Sequence, residues 1–338
     1  MPAVNKCFLR VTAIWLLFFL LAACIDLDEE SDTDLETQSS QTLSDEANNE
    51  VIAEDCVQNS PTDYNYIPGQ SYFGNNNWIE YIAGDLPIII GAPHGGELTP
   101  EEVPVYNDGL AQDGGSQDYA RATAQSLYDQ TGKYPHLIIN HLMRNRLNLN
   151  RAQEDDNFNN PQAMQAWNEF HEFINQAKAW VNQACGKGAY FDFHTNGHEH
   201  GYNELGFLLS RSELNLEAAQ LNLLQANSSI KNLASDTTQS FWDILYGPNS
   251  LGNIMHDQYE LLTIPNARDM PFAHDYFSGG YNTQNHGSRD GGKVDGIQIE
   301  SHWRYVNNGG ATRLDYSQKL ASSIKAYLQY WYGFTLEP

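Results

Sequence analysis

The sequence predicts an α/β fold: a single three-layer domain with a central mixed, mostly parallel sheet between helices. Two observations predict it. Short apolar runs alternate with helix-length stretches whose apolar residues recur every three or four positions, the pattern of strands and their covering helices. Four of the runs, Leu86–Ile90, His136–Ile139, Tyr190–Phe193 and Gly296–Ile299, also lead directly into polar clusters. In open α/β sheets the ligand site lies outside the carboxyl ends of the strands, so four such clusters point to one site.

The amino terminus stands apart from this domain. Lys6 and Arg10 precede an apolar segment, Val11 to Leu21, that ends in Leu21-Ala22-Ala23-Cys24. Residues 1–23 read as a secretory signal, and small residues directly before a cysteine resemble the lipobox of bacterial lipoproteins, so Cys24 is the expected lipidation site. The apolar segment is shorter than the roughly 20 residues a membrane span needs. The expected address is the bacterial cell envelope, with attachment to a membrane through Cys24. Asp26 resembles an inner-membrane retention signal that does not hold in all lineages, so which membrane is left open.

Residues 24–55 read as a tether. From Asp26 to Asp55 there are twelve Asp or Glu and no Lys, Arg or aromatic residue. Such a segment buries too little apolar surface to offset its ordering entropy. The stretch 56–338 then forms one α/β domain, without internal repeats. From residue 57 onward it has 31 acidic against 16 basic residues, within a chain of net charge −25, so nucleic acid and anionic membrane surfaces are poor partners. Cys56 and Cys185 remain in a compartment that permits disulfides, and their spacing does not decide whether they pair.

Several helices are legible in the domain. One is expected from near Gln117 to Gly132. Asn160 is placed to cap a helix that opens with Pro161, with Met164, Trp167, Phe170, Ile174, Ala177 and Val181 as its core stripe. A last helix carries Leu320, Ile324, Leu328 and Trp331. Between about 247 and 293 the chain is rich in Gly, Asn and Asp, as long loops over active sites often are.

Chemistry concentrates where the apolar runs end. Pro93-His94-Gly95-Gly96-Glu97 follows the first run, and its two glycines let a His and a Glu turn toward one point. With His194, which follows Tyr190–Phe193, the expected ligand set for a zinc ion is His94, Glu97 and His194. Glu300 ends the fourth run, where desolvation favours a raised pKa. His198 and His200 follow His194, but Asn196 and Gly197 interrupt any helix between them. They are expected in a loop at the rim, not as the helical two-His motif of metalloproteases.

These residues carry a resemblance to the N-formylglutamate amidohydrolase family, in the superfamily of the zinc carboxypeptidases. The matching pieces are Pro93-His94-Gly95-Gly96, Arg144 ahead of Asn148-Leu149-Asn150-Arg151, Asp192-Phe193-His194, Phe277-Ser278-Gly279-Gly280-Tyr281, and Gly296-Ile297-Gln298-Ile299-Glu300 with Arg304-Tyr305. The resemblance implies a zinc carboxypeptidase-like fold. It implies zinc held by His94, Glu97 and His194, and Glu300 as general base and acid. It further implies Arg144 beside the scissile carbonyl, with Asn150 and Arg151 gripping a substrate carboxylate. Two departures stand out. Asn148 replaces the aspartate common in the family, and Glu97 follows the carboxypeptidase spacing more closely than the usual amidohydrolase motif.

The expected function is zinc-dependent hydrolysis of an amide in an N-acyl amino acid, or in a similar small molecule or short peptide with a free carboxylate. A carboxypeptidase or amidase acting on cell-wall peptides is the alternative within the enzyme class. From another class comes a catalytically inactive solute-binding lipoprotein, which the intact Glu300 argues against.

Overall fold

A computed structural model describes Cys56 and residues 64–153, 159–269 and 275–338. The signal segment 1–23, Cys24 and the tether 24–55 lie outside the described residues. Among the described residues no helix is long and apolar enough to cross a membrane.

Eight strands form one sheet: β1 (Ser71–Phe73), β2 (Ile79–Ile82), β3 (Ile88–Ala92), β4 (His136–Asn140), β5 (Gly188–Asn196), β6 (Asn203–Gly206), β7 (Thr263–Ile264) and β8 (Val294–His302). Their order across the sheet is β1-β2-β4-β3-β5-β8-β6-β7. The central strands β4, β3, β5 and β8 run parallel, while β2 and β6 pair antiparallel with the strands inside them. The sheet is thus mixed and mostly parallel, as expected.

Period-two alternation assigns each strand residue to a layer. Ile88, Ile90, Phe191, Phe193, Ile297 and Ile299 pack with helix α1 (Ser116–Thr131) and the carboxyl-terminal helix Gly310–Tyr332. Ile89, Ile138, Tyr190 and Val294 pack with helix α2 (Pro161–Ala184). These are the two outer layers of a three-layer domain. By the same alternation Asp192, His194, Gln298 and Glu300 share the α2 face, toward the carboxyl ends of β5 and β8.

Local signals set the helix boundaries. Asn160 Oδ1 accepts the backbone N–H of Ala163 at 2.8 Å, and Pro161 occupies the first helical position, where its missing N–H costs nothing. The stripe of α2 differs from expectation at its start. Met164 is exposed, and Ala163 and Ala166 take the buried face ahead of Phe170, so small side chains meet the sheet there.

Cys56 and Cys185 form a disulfide with a Cα separation of 4.4 Å, closing a loop over 129 positions. It ties the start of the domain to the end of α2. Reducing it, or making Cys56→Ser, is expected to lower the unfolding free energy by about 2–4 kcal/mol, the usual range for a native bridge. Denaturant unfolding with and without reductant measures this, and an unchanged midpoint in Cys56→Ser would show that the bridge adds no stability.

Candidate metal centre

Three side chains from three segments converge beyond the carboxyl ends of the central strands. His94 follows β3, His194 lies near the end of β5, and Asp113 stands just before α1. His194 Nδ1 is 2.8 Å from Asp113 Oδ2, and His94 Nδ1 is 3.3 Å from the same oxygen. All three side chains are buried, and their ligand atoms lie within 4.8 Å of one another. The turn that delivers Asp113 passes through Gly115 at φ +78°, a left-handed conformation that favours glycine.

The far side of each imidazole makes this group a candidate metal centre. His94 Nε2 donates to Asn148 Oδ1 at 2.8 Å, and His194 Nε2 donates to Asp192 Oδ2 at 2.9 Å. Each imidazole thus has an oxygen at both nitrogens, and with a ring proton kept on Nε2 the Nδ1 atoms of both would be free to meet a cation beside Asp113. Ligating histidines characteristically tie their other nitrogen to an oxygen acceptor in this way. Two ligand atoms about 2.0 Å from a tetrahedral ion stand about 3.3 Å apart, close to the separations here. The donor set of two imidazoles and one carboxylate fits zinc and leaves a coordination position open.

Glu97 does not join this group. Gly95 and Gly96 have no room for a Cβ against Ser116 and the backbone of His141, so the chain is pressed flat alongside the end of β4. Leu98 then bonds to the carbonyl of His141 at 2.8 Å and receives the N–H of Met143 at 2.9 Å, leaving Glu97 exposed to solvent. The structure thus does not bring the expected ligand Glu97 to His94 and His194; the carboxylate that stands beside them is Asp113. The signal for Asp113 lay in its place before Gly114-Gly115-Ser116, where a glycine turn opens a helix.

The charges follow from burial and neighbours. Burial works to raise the carboxyl of Asp113, but the two imidazoles outweigh it and hold the group well below the usual carboxylate range. Burial lowers His94 to about 4 against the pull of Asp113. His194 goes the other way: Asp192 and Asp113 overcome the burial cost and raise it. Burial raises Glu300 to about 8, opposed by His194.

Glu300, Asp113 and His194 open onto one cavity of about 510 Å³, lined also by Arg144, Asn150, Arg151 and the Tyr276–Tyr281 segment. Gln298 Nε2 donates to Glu300 Oε1 at 2.8 Å and orients the carboxyl. Arg144 Nη1 donates to Asp113 Oδ1 at 2.7 Å and to the carbonyl of Ala111 at 3.0 Å, so it steadies Asp113 as well as lining the cavity. Asn150 Oδ1 accepts the N–H of Asn282 at 2.9 Å, fastening its loop to the helix Tyr281–His286. Arg151 is exposed on the cavity wall. His198 and His200 sit on the turn after β5, beyond this group.

No protein-family model matches the chain, and no curated protein matches it. Among solved structures, the chain is similar to a gene product from Agrobacterium tumefaciens, with a TM-score of 0.46 and 12% identity over 74% of this chain and 94% of that one. It is also similar to N-formylglutamate amidohydrolase from Ralstonia eutropha, with a TM-score of 0.46 and 10% identity over 73% of this chain and 95% of that one.

Two outcomes are expected. Asp113→Asn, like His94→Ala, should lose the tightly bound metal, whereas Glu97→Gln should keep it; metal analysis of purified variants decides, and loss in Glu97→Gln would restore that residue as ligand. The second concerns pH. A carboxyl at about 8 when folded, against about 4.3 when unfolded, stabilises fully below the unfolded value and loses that contribution as pH rises to 8. In metal-stripped protein, wild type should therefore lose melting temperature relative to Glu300→Gln between about pH 5 and 8. A pH-independent difference would contradict the raised carboxyl.

Proposed function

We propose that this protein is a zinc-dependent amidohydrolase acting on an amide next to a free carboxylate, as in N-acyl amino acids of the N-formylglutamate type. The observation that carries this reading is the pairing, in one cavity, of a His94–Asp113–His194 centre with a buried carboxyl, Glu300, that is not part of it. When bound, a zinc ion supplies a Lewis acid that polarises a carbonyl and acidifies water at neutral pH.

The chain supplies the rest. In its ionised form Glu300 takes a proton from the attacking water and returns it to the leaving nitrogen, the two halves of general base and acid catalysis. Gln298 holds that carboxylate in place. Arg151 presents a planar fork to the substrate carboxylate, and Asn150 sets the wall beside it. Arg144 keeps Asp113 aimed inward and adds positive charge where an oxyanion develops. An envelope address through a lipid at Cys24 belongs to the same reading, supported by the signal-like segment before it. Wall peptides are therefore included among the test substrates.

The purified protein with added zinc should hydrolyse N-formylglutamate or another N-acyl amino acid in a screen that also contains wall peptides; activity on none of them would overturn the reading. Glu300→Gln should retain zinc and lose on the order of a hundredfold to ten-thousandfold in turnover. Near-normal turnover in that variant, with metal content confirmed, would remove Glu300 from the chemistry. Arg151→Lys keeps its charge but loses the bidentate fork. It should weaken turnover of carboxylate substrates far more than of their amidated analogues, and equal losses on both would rule out carboxylate binding.

A further inference from the structure

A second cluster lies further along the same face of the sheet. Glu300 on β8 is the register partner of His194 on β5, and Glu204 on β6 is the register partner of Glu300. Register partners in neighbouring strands carry their side chains on the same face, so His194, Glu300 and Glu204 form a row across strands about 4.8 Å apart. His198 and His200, on the turn joining β5 to β6, converge on the far end of that row. His198 Nδ1 lies 2.6 Å from Glu204 Oε1, and His200 Nε2 lies 3.3 Å from the same oxygen. Ligand atoms of all three residues fall within 4.8 Å of one another.

We propose that His198, His200 and Glu204 hold a second divalent cation of the zinc class, on the opposite side of Glu300 from the first. Glu204 is fully buried, and its other oxygen already accepts the backbone N–H of Phe277 at 2.7 Å. In its ionised form such a buried carboxylate needs a compensating charge. Among the described residues, its ion-pair partners are these two histidines. Two imidazoles with one carboxylate suit zinc and its neighbours, not the all-oxygen preference of calcium or magnesium.

The site differs from the first in one respect that sets its strength. His200 Nδ1 accepts the backbone N–H of Tyr202 at 3.1 Å, and its Nε2 also lies 3.1 Å from the carbonyl of Asp275. Ligation through Nε2 moves the ring proton to Nδ1, so it costs the Tyr202 hydrogen bond and shifts the turn. At the first centre both imidazoles already place their protons on oxygen acceptors. The second ion therefore binds more weakly than the first. Its role is at the cavity wall: Glu204 connects the turn to the backbone of Phe277, which lines the substrate cavity.

Titration of zinc into chelator-stripped full-length protein tests this, read by calorimetry and by metal analysis after desalting. Wild type should take up two equivalents, one tight and one weaker. The His198→Ala, His200→Ala double variant should keep only the tight one, and Asp113→Asn only the weaker one. Glu204→Gln preserves volume and gives the same reading if the double variant does not fold, which circular dichroism reveals. A single wild-type equivalent that survives in the double variant or in Glu204→Gln overturns the proposal, as do two equivalents that survive there. Loss of the first equivalent alone would count against the hydrolytic reading and leave this one standing.

Discussion

Asp113 carries a negative charge in the interior of the protein, where an unpaired carboxylate would be severely destabilising. Its neighbours answer that charge from separate parts of the chain. His94 arrives from the end of β3, Arg144 from the loop after β4, and His194 from β5, while Asp113 itself is delivered by the turn into α1. The parallel core of the sheet brings those ends to one level. The carboxylate is thus the point at which four chain segments are fastened together, and the cavity exists because they meet there.

This arrangement explains which parts of the site were legible in the sequence. His94, His194 and Glu300 sit at or just beyond apolar runs, and strand ends are where sheets of this kind collect their polar residues. The cap by Asn160 was legible because capping involves residues three apart. Glu97 is suggested by local spacing and by the resemblance built on it. What decides its fate is the contact of Gly96 with the backbone of His141, forty-five positions away in sequence, which no local pattern records. Asp113 lies in a loop without periodicity, so only the folded turn at Gly115 shows where it points. The pairing of Cys56 with Cys185 was open for the same reason, since it depends on a Cα separation that only the fold supplies.

Asn148 sits against His94: its amide oxygen stands 2.8 Å from Nε2 and offers it an acceptor. The amide fixes the ring and its tautomer without adding a charge. Asn148 Oδ1 also lies 3.2 Å from the N–H of Asn150, so the same atom helps shape the loop that carries Arg151.

Asn148 on one side and Asp192 on the other separate the two histidines. His194 lies between two carboxylates, Asp113 and Asp192, which raise its basicity despite burial. His94 faces Asp113 on one side and an uncharged amide on the other, and burial lowers it to about 4. The two carboxylates therefore keep a proton on His194, while burial keeps His94 neutral. On the proposed reading, a cation entering the centre would meet a neutral His94 and would displace a proton from His194, linking binding to proton release. A carboxylate at position 148 would have drawn a proton to His94 as well. The amide keeps that competition to one imidazole.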